Sequence, residues 1–169
     1  MRRDIIYGLA TGAGMCLWTL LEFALGLHST RIDIGAYSGY FATLVPFVAL
    51  WLLLRKTQEE FGPLFDLRRG LAAGIVCAFV GAVVLYIFLV AYNLYINPAW
   101  LDYFLKWKVE QMRAAHLAET EIRRTITIYR NANTPIGLLV SSLLGTTLLG
   151  ALMACFLTIW LRWRTRTAR

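Results

Sequence analysis

Four unbroken apolar stretches constrain this chain more than any other feature. They run from Ile5 to Leu27, Ala36 to Leu54, Gly70 to Ile96 and Ile136 to Leu161, and Glu22 is the only charged side chain within them. A helix needs about 20 mostly apolar residues to cross ~30 Å of hydrocarbon at ~1.5 Å per residue. All four stretches are long enough; the second only just, while the third has surplus length that calls for tilt. None alternates as a strand would, and lipid offers backbone polar groups no partner, so the helix is the spanning form. The expected fold is an all-α integral membrane protein, one domain over residues 1–169 with four transmembrane helices. Composition agrees: 59% of residues are hydrophobic and 16% charged, against about 45–50% and about 25% in soluble domains. A soluble enzyme, a disordered tail and a disulfide-stapled scaffold are excluded.

The first stretch follows Met1-Arg2-Arg3, as a signal peptide would, but it is too long and Leu27-His28-Ser29-Thr30 lacks an Ala-x-Ala cleavage site. It reads as a retained span. Basic residues then set the orientation. Ten lie on one side (Arg2, Arg3, Arg55, Lys56, Arg68, Arg69, Arg162, Arg164, Arg166, Arg169), crowded against the helix ends. The other side holds seven, six of them in a 39-residue loop that also carries Asp102, Glu110, Glu119 and Glu121. Both termini are therefore expected in the cytoplasm. The net charge of +7 reads as a topology signal and an attraction to anionic lipid, and no nucleic-acid partner is expected. Trp51, Trp160 and Trp163 at one interface and Tyr92, Tyr95 and Trp100 at the other fit aromatic belts.

Packing signals are small residues at four-residue spacing: Gly8 and Gly12, Gly35 and Gly39, Gly70 and Gly74. In lipid, helices associate where small side chains let backbones approach. Pro46 removes a donor from the second span and leaves the Ala42 carbonyl unpaired, a kink that a hydroxyl such as Thr43 can ease. Cys16, Cys77 and Cys155 lie inside spans and read as small packing residues.

Between spans 3 and 4, Asn97-Pro98 offers a helix cap and a first-turn proline. An external amphipathic helical hairpin is expected over about 98–132, turning at Ala114-Ala115-His116-Leu117. Trp100, Phe104 and Trp107 share one stripe of its first helix and read as interface or partner contacts; the alternatives are a lid or a helix pair lying flat in the interface.

Chemistry is sparse. Glu22 is the one intramembrane polar site, and a carboxyl placed there is costly unless paired or neutralised. It either binds a cation or passes a proton, or it hydrogen-bonds within the bundle, with His28, Arg31, Ser141, Ser142, Thr146 and Thr147 as candidate partners. His28 and His116 have no ligand neighbours at metal spacing, so no metal is expected. No phosphate loop, nucleophile elbow or paired-histidine helix occurs; neither a cofactor nor enzyme activity is expected.

Tyr7-Gly8, Gly39-Tyr40, Tyr95-Ile96-Asn97-Pro98, Glu119-x-Glu121-Ile122 and Tyr129-x-Asn131 together resemble an uncharacterised family of four-span bacterial membrane proteins, a domain of unknown function. The resemblance covers nearly the whole chain and implies a bacterial inner-membrane setting without an activity. Two departures stand out. His116-Leu117-Ala118 replaces a Gly and a Ser that cap the second hairpin helix in the family pattern, and Leu144-Gly145-Thr146-Thr147-Leu148 replaces a span that carries a Glu and a Pro. The second departure weakens a transport role. The expectation is a non-catalytic accessory, assembly or interaction subunit of a membrane complex, surrounded by lipid and contacting other membrane subunits or its own copies. The alternative is a small oligomeric carrier or channel using Glu22.

Overall fold

The computed structural model describes residues 2–167, and the side chains of residues 2–164. Met1, the Arg166 side chain and Arg169, named above, lie outside that description. The described residues form helices and short connections, with no strand among them. The helices are α1 (Arg3–Ala24), α2 (Ile32–Ala42), α3 (Leu44–Phe61), α4 (Leu67–Ala91), α5 (Trp100–Ala114), α6 (Glu119–Ala132), α7 (Pro135–Val140) and α8 (Thr147–Thr167). A π-helical turn, Tyr92–Ile96, extends α4, and a second, Ser141–Thr146, joins α7 to α8. Four helical segments are long and apolar enough to cross a membrane: Arg3–Ala24, Ile32–Leu64, Leu67–Ile96 and Pro135–Arg164.

These segments form a ring in which α1 packs on α4, α4 on α8, α8 on α3 and α3 back on α1. Glycines set the closest approaches. On α1, Gly8 lies against the Cys77 carbonyl and Val80, and Gly12 against Val84 and the Gly81 carbonyl. Gly70 and Gly74 of α4 accept Thr158 and Ala154 of α8, while Gly150 of α8 accepts Ala78. The third expected pair behaves differently. Gly35 sits against the Leu27 carbonyl of the preceding turn, and Gly39 meets nothing within 4 Å. The Gly35–Gly39 pair therefore does not form a helix-on-helix seam within this chain: Gly35 packs on the turn before its own helix, and α2 buries none of its residues. The best-packed core lies nearer the end holding both termini, around Leu50, Leu53, Leu54, Cys77, Ala154 and Leu157.

Helix ends have identifiable causes. α1 stops three residues before the expected Leu27, because Gly26 takes φ 73°. The Leu27 N–H then donates to the Glu22 carbonyl at 2.9 Å and the Gly26 N–H to the Phe23 carbonyl at 3.0 Å, a paired closure that depends on a left-handed residue. α5 ends the same way: Leu117 N–H donates to Met112 and His116 N–H to Arg113, with His116 itself at φ 56°. The hairpin thus turns where expected, around a histidine. The second apolar segment breaks at Thr43, whose hydroxyl donates to the Tyr40 carbonyl at 2.6 Å rather than easing Ala42. Asp66 caps α4 by accepting from Arg69 N–H, and Thr134 caps α7 by accepting from Gly137 N–H. Asn97 is not the expected cap. α5 begins at Trp100 after Ala99, with no side-chain cap bond, and the Asn97 side chain turns back toward Tyr92.

Candidate functional site: a buried polar cluster around Glu22

Glu22 lies two residues from the last residue of α1, on the face turned toward α2 and the end of α4, and is 7% exposed. One turn earlier, Trp18 donates its indole N–H to Glu22 Oε1 at 2.7 Å, an i, i+4 contact that helical geometry supplies directly. Ser38 of α2 donates to the same oxygen at 2.6 Å. The left-handed turn at Gly26 folds the chain back, so His28 Nε2 stands 3.4 Å from Oε2. Neither helix spacing nor a straight continuation of α1 would bring His28 there.

The cluster extends onto α4. His28 Nδ1 lies 2.5 Å from the Tyr92 hydroxyl, and Asn97 Nδ2 donates to that hydroxyl at 3.1 Å. Tyr92 is 2% exposed and opens the π-helical turn, and the Asn97 N–H closes that turn on the Tyr92 carbonyl at 2.9 Å. π-helical turns insert a residue and re-aim side chains; here Tyr92 and Asn97 are brought together. Phe23 meets the Tyr92 ring edge-on at 6.0 Å between centroids. Trp100 of α5 covers the His28 ring at 6.0 Å, while its indole N–H donates to Asn93 Oδ1 at 2.6 Å.

One proton arrangement satisfies every member. Asn97 donates to the Tyr92 oxygen, the Tyr92 O–H donates to His28 Nδ1, and His28 Nε2–H points at the Glu22 carboxylate, which also accepts from Trp18 and Ser38. A second proton on His28 would turn Nδ1 into a donor and leave the Tyr92 hydrogen without an acceptor. Burial pushes the His28 pKa below its ordinary value, and the neighbouring Glu22 charge only partly offsets it. Geometry and electrostatics both favour the neutral imidazole.

The arrangement ties α1, α2, the turn over residues 25–31 and the end of α4 at one point. Of the partners considered for Glu22, it takes His28. Ser141 donates instead to the Leu138 carbonyl at 3.3 Å, and Thr147 Oγ1 is buried without a hydrogen-bond partner. Trp18, Ser38, Tyr92 and Asn97 were not singled out as site residues; Trp18 at i−4 from Glu22 was the one legible signal. Trp100, Phe104 and Trp107 form a row with 5.8 Å between successive centroids, half-buried, and Phe104 also packs on Tyr129 of α6 at 5.1 Å. Much of this stripe is used in joining α5 to α6 and in covering His28. No group of three His, Cys, Asp or Glu side chains placed to hold a metal occurs among the described residues.

The profile of a family described as Protein of unknown function (DUF4199) matches residues 6–162. No curated protein and no solved structure matches the chain.

Proposed function

Since the chain belongs to the DUF4199 family of proteins of unknown function, a membership that brings no activity with it, we propose that it is a non-catalytic accessory or assembly subunit of a bacterial inner-membrane complex. In this reading the four apolar segments cross the bilayer and both termini face the cytoplasm. Its partner is another membrane subunit or a second copy, and the contact surface is centred on α2.

The observation that carries the reading is the open face of α2. Gly39 meets nothing within 4 Å, and Tyr37, Tyr40 and Phe41 beside it are 60–73% exposed. Gly39 is exposed at the edge of an apolar cavity shared with Thr11, Met15 and Leu50, and a glycine placed there offers lipid no side chain to solvate but lets another helix approach closely. Glu22 supports the same choice. Both of its oxygens are engaged by groups of its own chain, so it serves better as a structural tie than as a site for a passing ion.

Purification in mild detergent is expected to yield a stoichiometric assembly larger than one chain. Gly39→Leu should release the monomer without lowering its melting temperature, because a Cβ there meets nothing within 4 Å and the longer side chain has the neighbouring cavity or lipid to enter. A lone wild-type monomer, or a Gly39→Leu assembly of undiminished size, removes the reading. The carrier alternative draws on two interrupted segments, at Thr43 and at Ser141–Thr146, that border one apolar cavity of about 100 Å³. Broken helices are a feature of transporters. Solute flux in proteoliposomes that vanishes in Glu22→Gln would favour it.

A further inference from the structure

At the end holding both termini, the start of α1, the end of α3 and the start of α4 border an open cavity of about 460 Å³, within the size range of small-molecule sites. It is lined by Arg2, Arg3 and Arg69 with Asp4 and Glu60 at its rim and, further along α3 and α4, by the buried Leu53 and half-buried Ala73 as a floor, with the exposed Ala72 at its edge. We propose that this cavity binds the phosphodiester head group of an anionic membrane phospholipid. The proposal rests on the inserted four-span reading, which puts the rim at head-group depth and the floor toward the acyl chains.

Charge and geometry argue for that ligand. Three guanidinium groups face two carboxylates, leaving one positive charge, and a phosphodiester carries one negative charge. Arg2 pairs with Asp4 at 2.7 Å and Arg3 with Glu60 at 2.8 Å, while Arg69 donates to the Leu64 carbonyl at 2.6 Å. A guanidinium has five N–H donors in a planar fork, so each retains donors for phosphate oxygens. The Arg69 guanidinium also lies 4.6 Å from the Phe61 ring centroid, which holds its fork at the rim. Asp4 is 6% exposed, and its Oδ1 accepts the Ile5 N–H at 3.1 Å; it fixes Arg2 at the first turn of α1, where the helix dipole favours an anion. Ala73 keeps the floor open and apolar, as the first acyl carbons require, and the small Ala72 leaves its edge open toward the lipid. Basic pockets between spans on the cytoplasmic side suit such head groups.

The test is native mass spectrometry of the detergent-purified full chain titrated with phosphatidylglycerol, with diacylglycerol of the same acyl chains, and with inorganic phosphate. Phosphatidylglycerol should form a one-to-one adduct, diacylglycerol should not, and excess inorganic phosphate should leave the adduct in place. The double variant Arg3→Gln, Arg69→Gln should bind about tenfold more weakly, while Arg113→Gln in the hairpin changes nothing. If the double variant loses cooperative melting, Arg69→Gln alone carries the test, since that side chain is exposed; a weakening of about threefold is expected. Equal binding of diacylglycerol, displacement by phosphate, or unchanged affinity in a folded arginine variant would overturn the proposal. Release of the protein from membranes by a carbonate wash would instead overturn the insertion reading.

Discussion

Glu22 shows how a carboxyl group in an apolar helix is held by donors of its own chain. It accepts from Trp18 and Ser38 and faces His28. Glu22→Gln keeps a carbonyl oxygen for the two short bonds and should cost less than ~1 kcal/mol. Glu22→Leu strands the Trp18 and His28 donors, while Ser38 keeps the Gly35 carbonyl at 3.0 Å as its acceptor. Buried orphans cost ~1–3 kcal/mol each, but bonds between helices in lipid average nearer ~0.6 kcal/mol, so about 2 kcal/mol in total is expected. Thermal melting in mild detergent measures both, and equal losses would contradict the hydrogen-bonding role. His28 adds a pH dependence whose sign follows from burial. Its folded pKa is lowered from 6.5, so above that value folded and unfolded states are both neutral and the full stability is present. As pH falls below it, the unfolded chain takes up the proton more readily and stability declines. Melting between about pH 7.5 and 5.5 should therefore fall more steeply in wild type than in His28→Gln; parallel slopes would rule the mechanism out. The sequence exposed Glu22 as an isolated charge and offered His28 among six candidate partners, with nothing to choose between them. His28 is six residues on, and only the φ of Gly26 returns it to the carboxylate. A glycine two residues past a helix end was a readable signal that the length of the apolar run obscured.

At the level of elements, spacing of small residues predicted two faces and missed on the third. Gly8 and Gly12 meet α4, and Gly70 and Gly74 meet α8, because in each case the opposing helix presents Val, Thr, Ala or backbone at contact distance. Gly35 and Gly39 have the same spacing, but α2 is a short half-segment at the rim of the ring, and spacing alone carries no information about what lies opposite. A Cβ at Gly12 would stand 2.6 Å from Val84 Cβ and 3.0 Å from the Gly81 carbonyl oxygen. The second obstacle is backbone, so the helices must part. Gly12→Val should therefore destabilise by about 2 kcal/mol, read from the melting temperature; an unchanged value would mean that α1 and α4 are not in this contact. The hairpin turn offers the opposite case. His116 holds φ 56°, a conformation that costs an L-residue ~1–2 kcal/mol and glycine little. After the extra unfolded-state freedom of glycine, His116→Gly should gain about 0.5 kcal/mol, and a loss would show that the imidazole makes a compensating contact. The turn was located from the end of one amphipathic pattern and the start of another. The Asn97 cap was not, because the π-helical turn shifts the start of α5 and commits the Asn97 amide to Tyr92.

Across the whole molecule, the two ends of the bundle are built on opposite principles. At the hairpin end, polar groups are closed on one another and covered by Trp100; at the other, arginines line an open cavity over an apolar floor. That asymmetry is physically consistent with basic side chains crowded at helix ends on one side and basic residues diluted by carboxylates on the other, and it was legible in the sequence because charge distribution does not depend on packing. Which groups would close the hairpin end was not legible, since it depends on the turn at Gly26 and the extra residue near Tyr92. The orientation itself gives the last prediction. Thr30 and Lys56 are both exposed and lie at opposite ends of the second apolar segment. The native cysteines Cys16, Cys77 and Cys155 are half-buried or buried within apolar helices, so they should react slowly with an impermeant maleimide. With single cysteines introduced, Thr30→Cys should label from outside intact cells, and Lys56→Cys should label only after the membrane is opened. The reverse pattern would place the arginine cavity on the outer face, and the positive-inside argument would fail with it. Equal labelling at both positions would mean that the segment does not cross, and both the subunit reading and the lipid site would lose the bilayer on which they depend.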